Sequence, residues 1–232
     1  MPPRQLPFTF RTRGGARTGA GRPRRRTPTR VSHLARPALS KHHPVHVTLR
    51  ARDGIESLRG TAMFRSVRGA LAGGRDRFGF RMVHFSVQRD HLHLLVEAHD
   101  RRALRRGMQG LAIRMAKAVN RRMRRRGKVF GDRYHARPLR TPRETRLALR
   151  YVLSNLRKHA RGAARMAAGF VDGCSSAPWF DGWDRPHALC FVAEAAARDG
   201  PLPTVPARTW LLRVGWRRAG PLLDPDEYPP RD

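Results

Sequence analysis

The 232-residue sequence predicts an α+β fold, an antiparallel sheet with helices packed against it. Two observations carry the prediction. The apolar residues between about 45 and 159 change period repeatedly, from two to about 3.6 and back. Two of the period-two runs are separated only by Gln88-Arg89-Asp90, short enough for a hairpin. The order is strand, helix, strand, strand, helix, possible strand, helix, the pattern of a ferredoxin-like sandwich.

The elements follow in order. Val45, Val47 and Leu49 alternate with His46, Thr48 and Arg50 as a first strand. Ile55, Leu58, Met63, Phe64, Val67 and Leu71 have helical spacing, and Gly73-Gly74 is read as the stop. Residues 80–87 and 90–98 form the hairpin strands. Residues 102–126 predict a long helix with Leu104, Met108, Leu111, Met115 and Val119 on one stripe, closed by Gly127. Residues 129–139 can supply a short strand. Thr141-Pro142-Arg143-Glu144 places a cap, a proline in the first turn and an early acid, so a last helix is expected to run to about His159.

Composition bounds the rest. Lys+Arg number 49 against 17 Asp+Glu, a formal charge of +32, and 40% of residues are hydrophobic. That is apolar material for one core of roughly 100–150 residues plus extensions. The charge makes a polyanion the expected partner. Two cysteines, Cys174 and Cys190, exclude a disulfide scaffold and a four-cysteine zinc site. No apolar run approaches a membrane span, and the basic N-terminus has no apolar core of a secretory signal. A cytoplasmic, nucleoid-associated protein without a membrane partner is the expectation. Three segments are expected: an arm over 1–40, a domain over 41–165 and an extension over 166–232. The arm holds ten arginines and no acid, and is read as disordered. Within it Gly21-Arg22-Pro23-Arg24 looks like a minor-groove hook, or simply part of a phosphate-seeking tail. The extension is rich in Pro and Trp, with no clear period, and is expected to pack on the core or clamp a ligand.

The chemistry starts on the third strand. Period two puts His91, His93, Leu95 and Glu97 on one face and Leu92, Leu94 and Val96 on the other. Two imidazoles two residues apart can share a divalent ion, or can simply be hydrogen-bonded surface groups. Glu97 lies too far along the strand to be read as a ligand, and His46 and His84 lie on neighbouring strands, where they can line the site or be structural. On the last helix Leu149, Val152, Leu153 and Leu156 share an arc, while Tyr151, Asn155 and Lys158 fall opposite. A displayed phenol, amide and ammonium suit work on phosphate: attack, ligation and charge neutralisation. They are equally compatible with an exposed amphipathic face.

His91-Leu92-His93 followed by Tyr151-Val152-Leu153-Ser154-Asn155 resembles the single-tyrosine HUH nucleases, and more closely the REP-associated tyrosine transposases and related single-strand transposases. The likeness runs from about His43 to His159. It is supported by His43-Pro44-Val45-His46-Val47-Thr48, by His84-Phe85-Ser86-Val87, by Asn120-Arg121-Arg122 and by Phe130-Gly131-Asp132-Arg133-Tyr134-His135. The resemblance implies the HUH nuclease fold, with His91 and His93 as metal ligands and Asn155 as third ligand. It implies Tyr151 as the nucleophile and Mg or Mn as the ion. The implied reaction cuts single-stranded DNA beside a hairpin through a 5′-phosphotyrosine, with no nucleotide triphosphate; no phosphate-binding loop is present in the sequence.

Tyr134, between Arg133 and His135, is the rival nucleophile, but Pro138 stands four residues on where a ligand would be needed. Tyr228 lies in a proline-rich tail. Arg101, Arg102, Arg105, Arg106, Arg114, Lys117, Arg121, Arg122, Arg124, Arg125 and Arg126 on the long helix, with no acid among them, are read as a DNA phosphate surface, joined by Arg22 and Arg24 of the arm. Trp179, Trp183 and Trp210 are candidates to stack on unpaired bases. The spacing of Cys174, Cys190 and His187 matches no standard zinc finger, and the two cysteines are read as buried free thiols. Two other readings stay open: a non-catalytic basic DNA-binding protein on the same fold, and a zinc-dependent hydrolase using the His-x-His pair. Monomer and homodimer are both compatible with the sequence.

Overall fold

The computed structural model describes residues 38–159, 168–184 and 202–227. The arm with Arg22 and Arg24, and likewise His187, Cys190 and Tyr228, lie outside the described residues. Strands β1 (Val45–Arg50), β2 (Asp76–Arg77), β3 (Phe80–Val87), β4 (His91–Ala98) and β5 (His135–Pro138) form one five-stranded sheet in the order β2-β3-β4-β1-β5, with every neighbouring pair antiparallel. Helices α1 (Thr61–Gly74) and α2 (Arg101–Arg122) pack on one face, and α3 (Pro142–Leu153) on the other. Apart from the two-residue β2, this is strand, helix, strand, strand, helix, strand with β4 inserted between β3 and β1, the ferredoxin-like arrangement that the sequence predicts.

Alternation explains the two layers. Val45, Val47, Leu49, Phe85, Leu92, Leu94 and Val96 point toward α1 and α2 and are at most 3% exposed. Each such side chain contributes roughly 1.5–3 kcal/mol through burial. The opposite face presents Val83 and Leu95 to Leu149, Val152 and Leu153 of α3. The 166–232 extension completes this second core. Trp183, Leu212, Trp216 and Leu223 all belong to it. Short helices sit within the extension, a 3₁₀ turn at Ala177–Trp179, α5 (Trp210–Arg213) and a 3₁₀ turn at Gly215–Ala219.

Several predicted boundaries move, each for a local reason. The first helix starts at Thr61, not Ile55. Ahead of it the Ile55 N–H donates to Arg52 and the Leu58 N–H to Arg89, so these residues form turns, although Leu58 still reaches the core. Gly73-Gly74 forms the last turn of the helix and not its stop. The long helix ends at Arg122 because Arg124 turns to φ 50° and the Asn120 amide caps the Gly127 carbonyl. The strand in 129–139 is only His135–Pro138. The last predicted helix is two: α3 stops at Leu153, Ser154 has φ −108° and ψ 18°, and a short α4 (Asn155–His159) follows. The start of α3 is as read. The Thr141 hydroxyl accepts the Glu144 N–H at 3.1 Å, and the Glu144 carboxylate accepts the Arg140 N–H at 2.7 Å.

Candidate active site

Cross-strand register assembles the site on the α3 face of the sheet. Thr48 stands opposite His93, Arg50 opposite His91 and His46 opposite Leu95. Residues directly opposite in an antiparallel pair share a face, so His46, Thr48, His91 and His93 form one polar patch. Tyr151 reaches it from α3. Its hydroxyl lies 3.5 Å from His93 Nε2, and its ring meets those of His93 and His46 edge-on at 4.9 and 5.6 Å between centroids. The His91 and His93 rings are 4.8 Å apart.

The other nitrogens of the two histidines are already engaged. His91 Nδ1 lies 2.7 Å from an Asp90 carboxylate oxygen, and Arg50 pairs with the same carboxylate at 2.9 Å. Burial raises the Asp90 pKa, but the hydrogen bond with His91 and the Arg50 guanidinium outweigh it and hold the carboxyl below its usual range. His93 Nδ1 lies 3.2 Å from Thr48 Oγ1 and 3.3 Å from His46 Nε2. Tying Nδ1 to a carboxylate or a hydroxyl is how metal-binding imidazoles are oriented, which leaves Nε2 as the ligating atom. Asn155 is fully buried, and neither its amide oxygen nor its nitrogen has a hydrogen-bond partner among the described residues. Such an orphan costs about 1–3 kcal/mol unless something else engages it. The two imidazoles supply nitrogen donors of a kind that could hold a divalent ion, and the uncommitted Asn155 amide oxygen is a candidate further donor. Among the described residues no group of three or more His, Cys, Asp or Glu is placed to hold a metal.

The other residues singled out in the sequence separate clearly. Lys158 lies in α4, with its side chain outside the described residues. Tyr134 packs against the opposite core, with α1 and α2. His84 faces the extension, its Nδ1 3.2 Å from Ser176 Oγ and its ring edge-on to Phe180. Burial pushes its pKa down to about 4 against the opposing pull of Asp181. Glu97 does structural work: it accepts the Arg208 and Thr209 N–H groups and the Thr209 hydroxyl at 2.7–3.0 Å. Trp183 is 7% exposed and donates to the Ala177 carbonyl, so it is core and not a stacking platform. Trp179 is half-buried beneath Arg68, and Trp210 is exposed beside Arg218. Burial raises the Cys174 thiol pKa to about 11, with the nearby Arg59 opposing.

The basic residues of α2 fall into two groups. Arg101, Arg102, Arg105 and Arg106 are exposed at its start, while Arg121, Arg122, Arg124 and Arg126 are exposed and Arg125 half-buried at and beyond its end. At 1.5 Å per residue the groups are about 30 Å apart. From the second group Arg121, Arg122 and Arg124 line a groove of about 640 Å³ between α2 and α1, with Arg65, Arg114 and Lys117 and no acid. Sequence reading did not single out Thr48 or Arg65. Cross-strand register and helix pairing identify them, and neither is written in a local pattern.

The family model described as "Transposase IS200 like" matches residues 40–155, half of the chain. The chain belongs to the IS200-like transposase family. The IS200-like match spans all five strands and α3, and ends on Asn155. Among curated proteins nothing matches. Among solved structures the chain is similar to a REP-associated tyrosine transposase bound to a REP hairpin, with a TM-score of 0.47, 15% identity, and coverage of 56% of this chain and 74% of that one. Among the described residues no helix is long and apolar enough to cross a membrane.

Proposed function

We propose that this transposase cuts and rejoins single-stranded DNA next to a hairpin, with Tyr151 as the nucleophile. The observation that carries the reading is the contact of the Tyr151 hydroxyl with His93 Nε2 at 3.5 Å, between residues 58 apart in the chain. His91, His93 and Asn155 would hold Mg or Mn, which when bound supplies Lewis-acid stabilisation of charge at the phosphate. Tyr151 oxygen attacks phosphorus as the phenol proton is lost. The P–O3′ bond breaks, the 3′ oxygen takes up a proton, and a 5′-phosphotyrosine remains. Attack by another DNA 3′-hydroxyl reverses the step and joins strands. Because the phosphodiester energy is kept in the tyrosyl ester, no triphosphate is consumed. Lys158, one helical turn from Asn155, is assigned to neutralise charge on the phosphate. His46 and Thr48 orient His93.

The test is a denaturing-gel assay for a covalent protein–DNA adduct, using a hairpin oligonucleotide with a single-stranded tail and added Mg or Mn. The parent and Tyr134→Phe form the adduct; Tyr151→Phe binds DNA but forms none. An adduct from Tyr151→Phe overturns the assignment. No adduct from any of the three supports a non-catalytic DNA-binding protein, and cleavage that needs zinc supports a hydrolase.

A further inference from the structure

The end of the sheet where β1 finishes and β4 begins carries a cleft of about 600 Å³ that starts at His91. Its walls are the turn between β1 and α1 and the turn between β3 and β4. From this placement we propose that the cleft binds the unpaired DNA strand immediately beside the phosphate presented to Tyr151, with Arg52 and Arg89 holding its backbone. The inference rests on the reading of Tyr151 above and adds to it the place where the substrate strand lies.

Charge comes first. Arg52 and Arg89 line the cleft, both are exposed, and neither makes an ion pair among the described residues. The third arginine there, Arg59, is already committed: it grips both Asp172 oxygens at 2.8–2.9 Å and the Val87 carbonyl at 2.8 Å. Of the two acids in the lining, Asp90 is taken by Arg50 and His91, and Asp53 stands exposed in the turn. The two uncommitted cations are therefore available to phosphate.

Their positions are fixed by backbone bonds. The Arg52 N–H donates to Val129 O at 2.8 Å, and the Leu58 N–H donates to Arg89 O at 2.9 Å, so the two turns are tied to their neighbours. The Arg52 stem rests on Gly131, where an added Cβ would come within 3.1 Å of Arg52 Cγ. Half-buried Ile55 and Leu156 give the cleft an apolar floor suited to the face of a base. Two cations beside an apolar floor suit an unpaired strand, whose base faces are accessible, better than a duplex, whose bases are stacked inside. The acid-free groove between α1 and α2 lies at the same end of the molecule, because the chain leaving α2 returns through Val129 to Arg52 and through Gly131 to Arg50. A duplex on that groove and a single strand in this cleft would form one path around the end of the sheet.

The experiment is fluorescence anisotropy in EDTA with two labelled probes, a 12-nucleotide single strand and a 12-base-pair blunt duplex, over a range of salt. Arg52→Gln/Arg89→Gln is expected to weaken single-strand binding about tenfold and to lower the salt slope by about 1.4, the contribution of two single-strand phosphate contacts. Duplex binding should stay within about twofold, which also reports that the variant is folded. Arg121→Gln/Arg122→Gln should show the reverse preference, and Arg52→Lys/Arg89→Lys should restore most of the single-strand binding. Equal losses on both probes, or no loss on the single strand, overturn the cleft. The adduct assay separates the two readings: unchanged single-strand affinity in the variant alongside a parent adduct at Tyr151 removes the cleft and leaves the nucleophile standing.

Discussion

Both ring nitrogens of His93 have polar neighbours, Thr48 and His46 on one side and the Tyr151 phenol on the other. This is what separates it from His84, a histidine on the same face one strand away. His84 is packed against Ser176 and Phe180, and its pKa of about 4 makes a stability prediction. The unfolded chain titrates near 6.5, so between about 6.5 and 4 it binds more protons than the folded one. Stability is then full above 6.5 and falls as the pH drops toward 4, by on the order of 1 kcal/mol per unit. Urea melts of the parent and His84→Gln from pH 7.5 to 4.5 should show this extra slope only in the parent. Among the site residues, His91 and His93 are legible in the sequence because period two is local, and Tyr151 because it stands off the apolar arc of its helix. Thr48 is not legible, since its place opposite His93 depends on which strand pairs with which. Asn155 is legible as a residue but not as a buried, unpartnered amide, because the helix break at Ser154 that carries it has no strong signal in Leu153-Ser154-Asn155.

At the level of elements, α2 is set by its neighbour more than by its own composition. Its start is capped by the Asp100 carboxylate, which accepts the Ala103 N–H at 2.7 Å. Its close approach to the sheet is made possible by Gly107: a Cβ there would fall 2.1 Å from the Phe80 ring, which is itself 0% exposed. Gly107→Ala gains helix propensity but forces the ring to shift, and overpacking of this kind costs about 1–3 kcal/mol. A lower urea midpoint with an unchanged m-value would confirm this, and a stabilised variant would refute it. The apolar stripe of this helix was readable, and Leu104, Met108, Leu111, Met115 and Val119 are all buried. Its end was not, because Arg124 adopts a left-handed conformation that the run of arginines does not announce. The basic residues were legible as a charge but not as two clusters, one of them beside the groove with α1.

On the scale of the molecule, the extension is what the sequence leaves least readable and the fold uses most. Its residues are irregular, so no period marks them, yet they fill the core beneath α3 and bind the sheet through polar anchors. One anchor is the pair between Arg59 and Asp172, the latter 3% exposed. Asp172→Ala leaves the guanidinium without its partner and is expected to lower stability by about 3 kcal/mol, read as a fall in urea midpoint. A second anchor runs along the outer edge of β3. Beyond β2, the Val205 N–H donates to Met82 O, Ser176 bonds both polar groups of the Phe85 backbone, and the Val87 N–H donates to Cys174 O. This has a consequence for biosynthesis. While the ribosome has delivered the sheet but not yet residues 174–176 and 205, that strand has an open row of amides and carbonyls. The half-made chain is then most able to zip onto another copy of itself, and these later-translated residues are the ones that end this exposure.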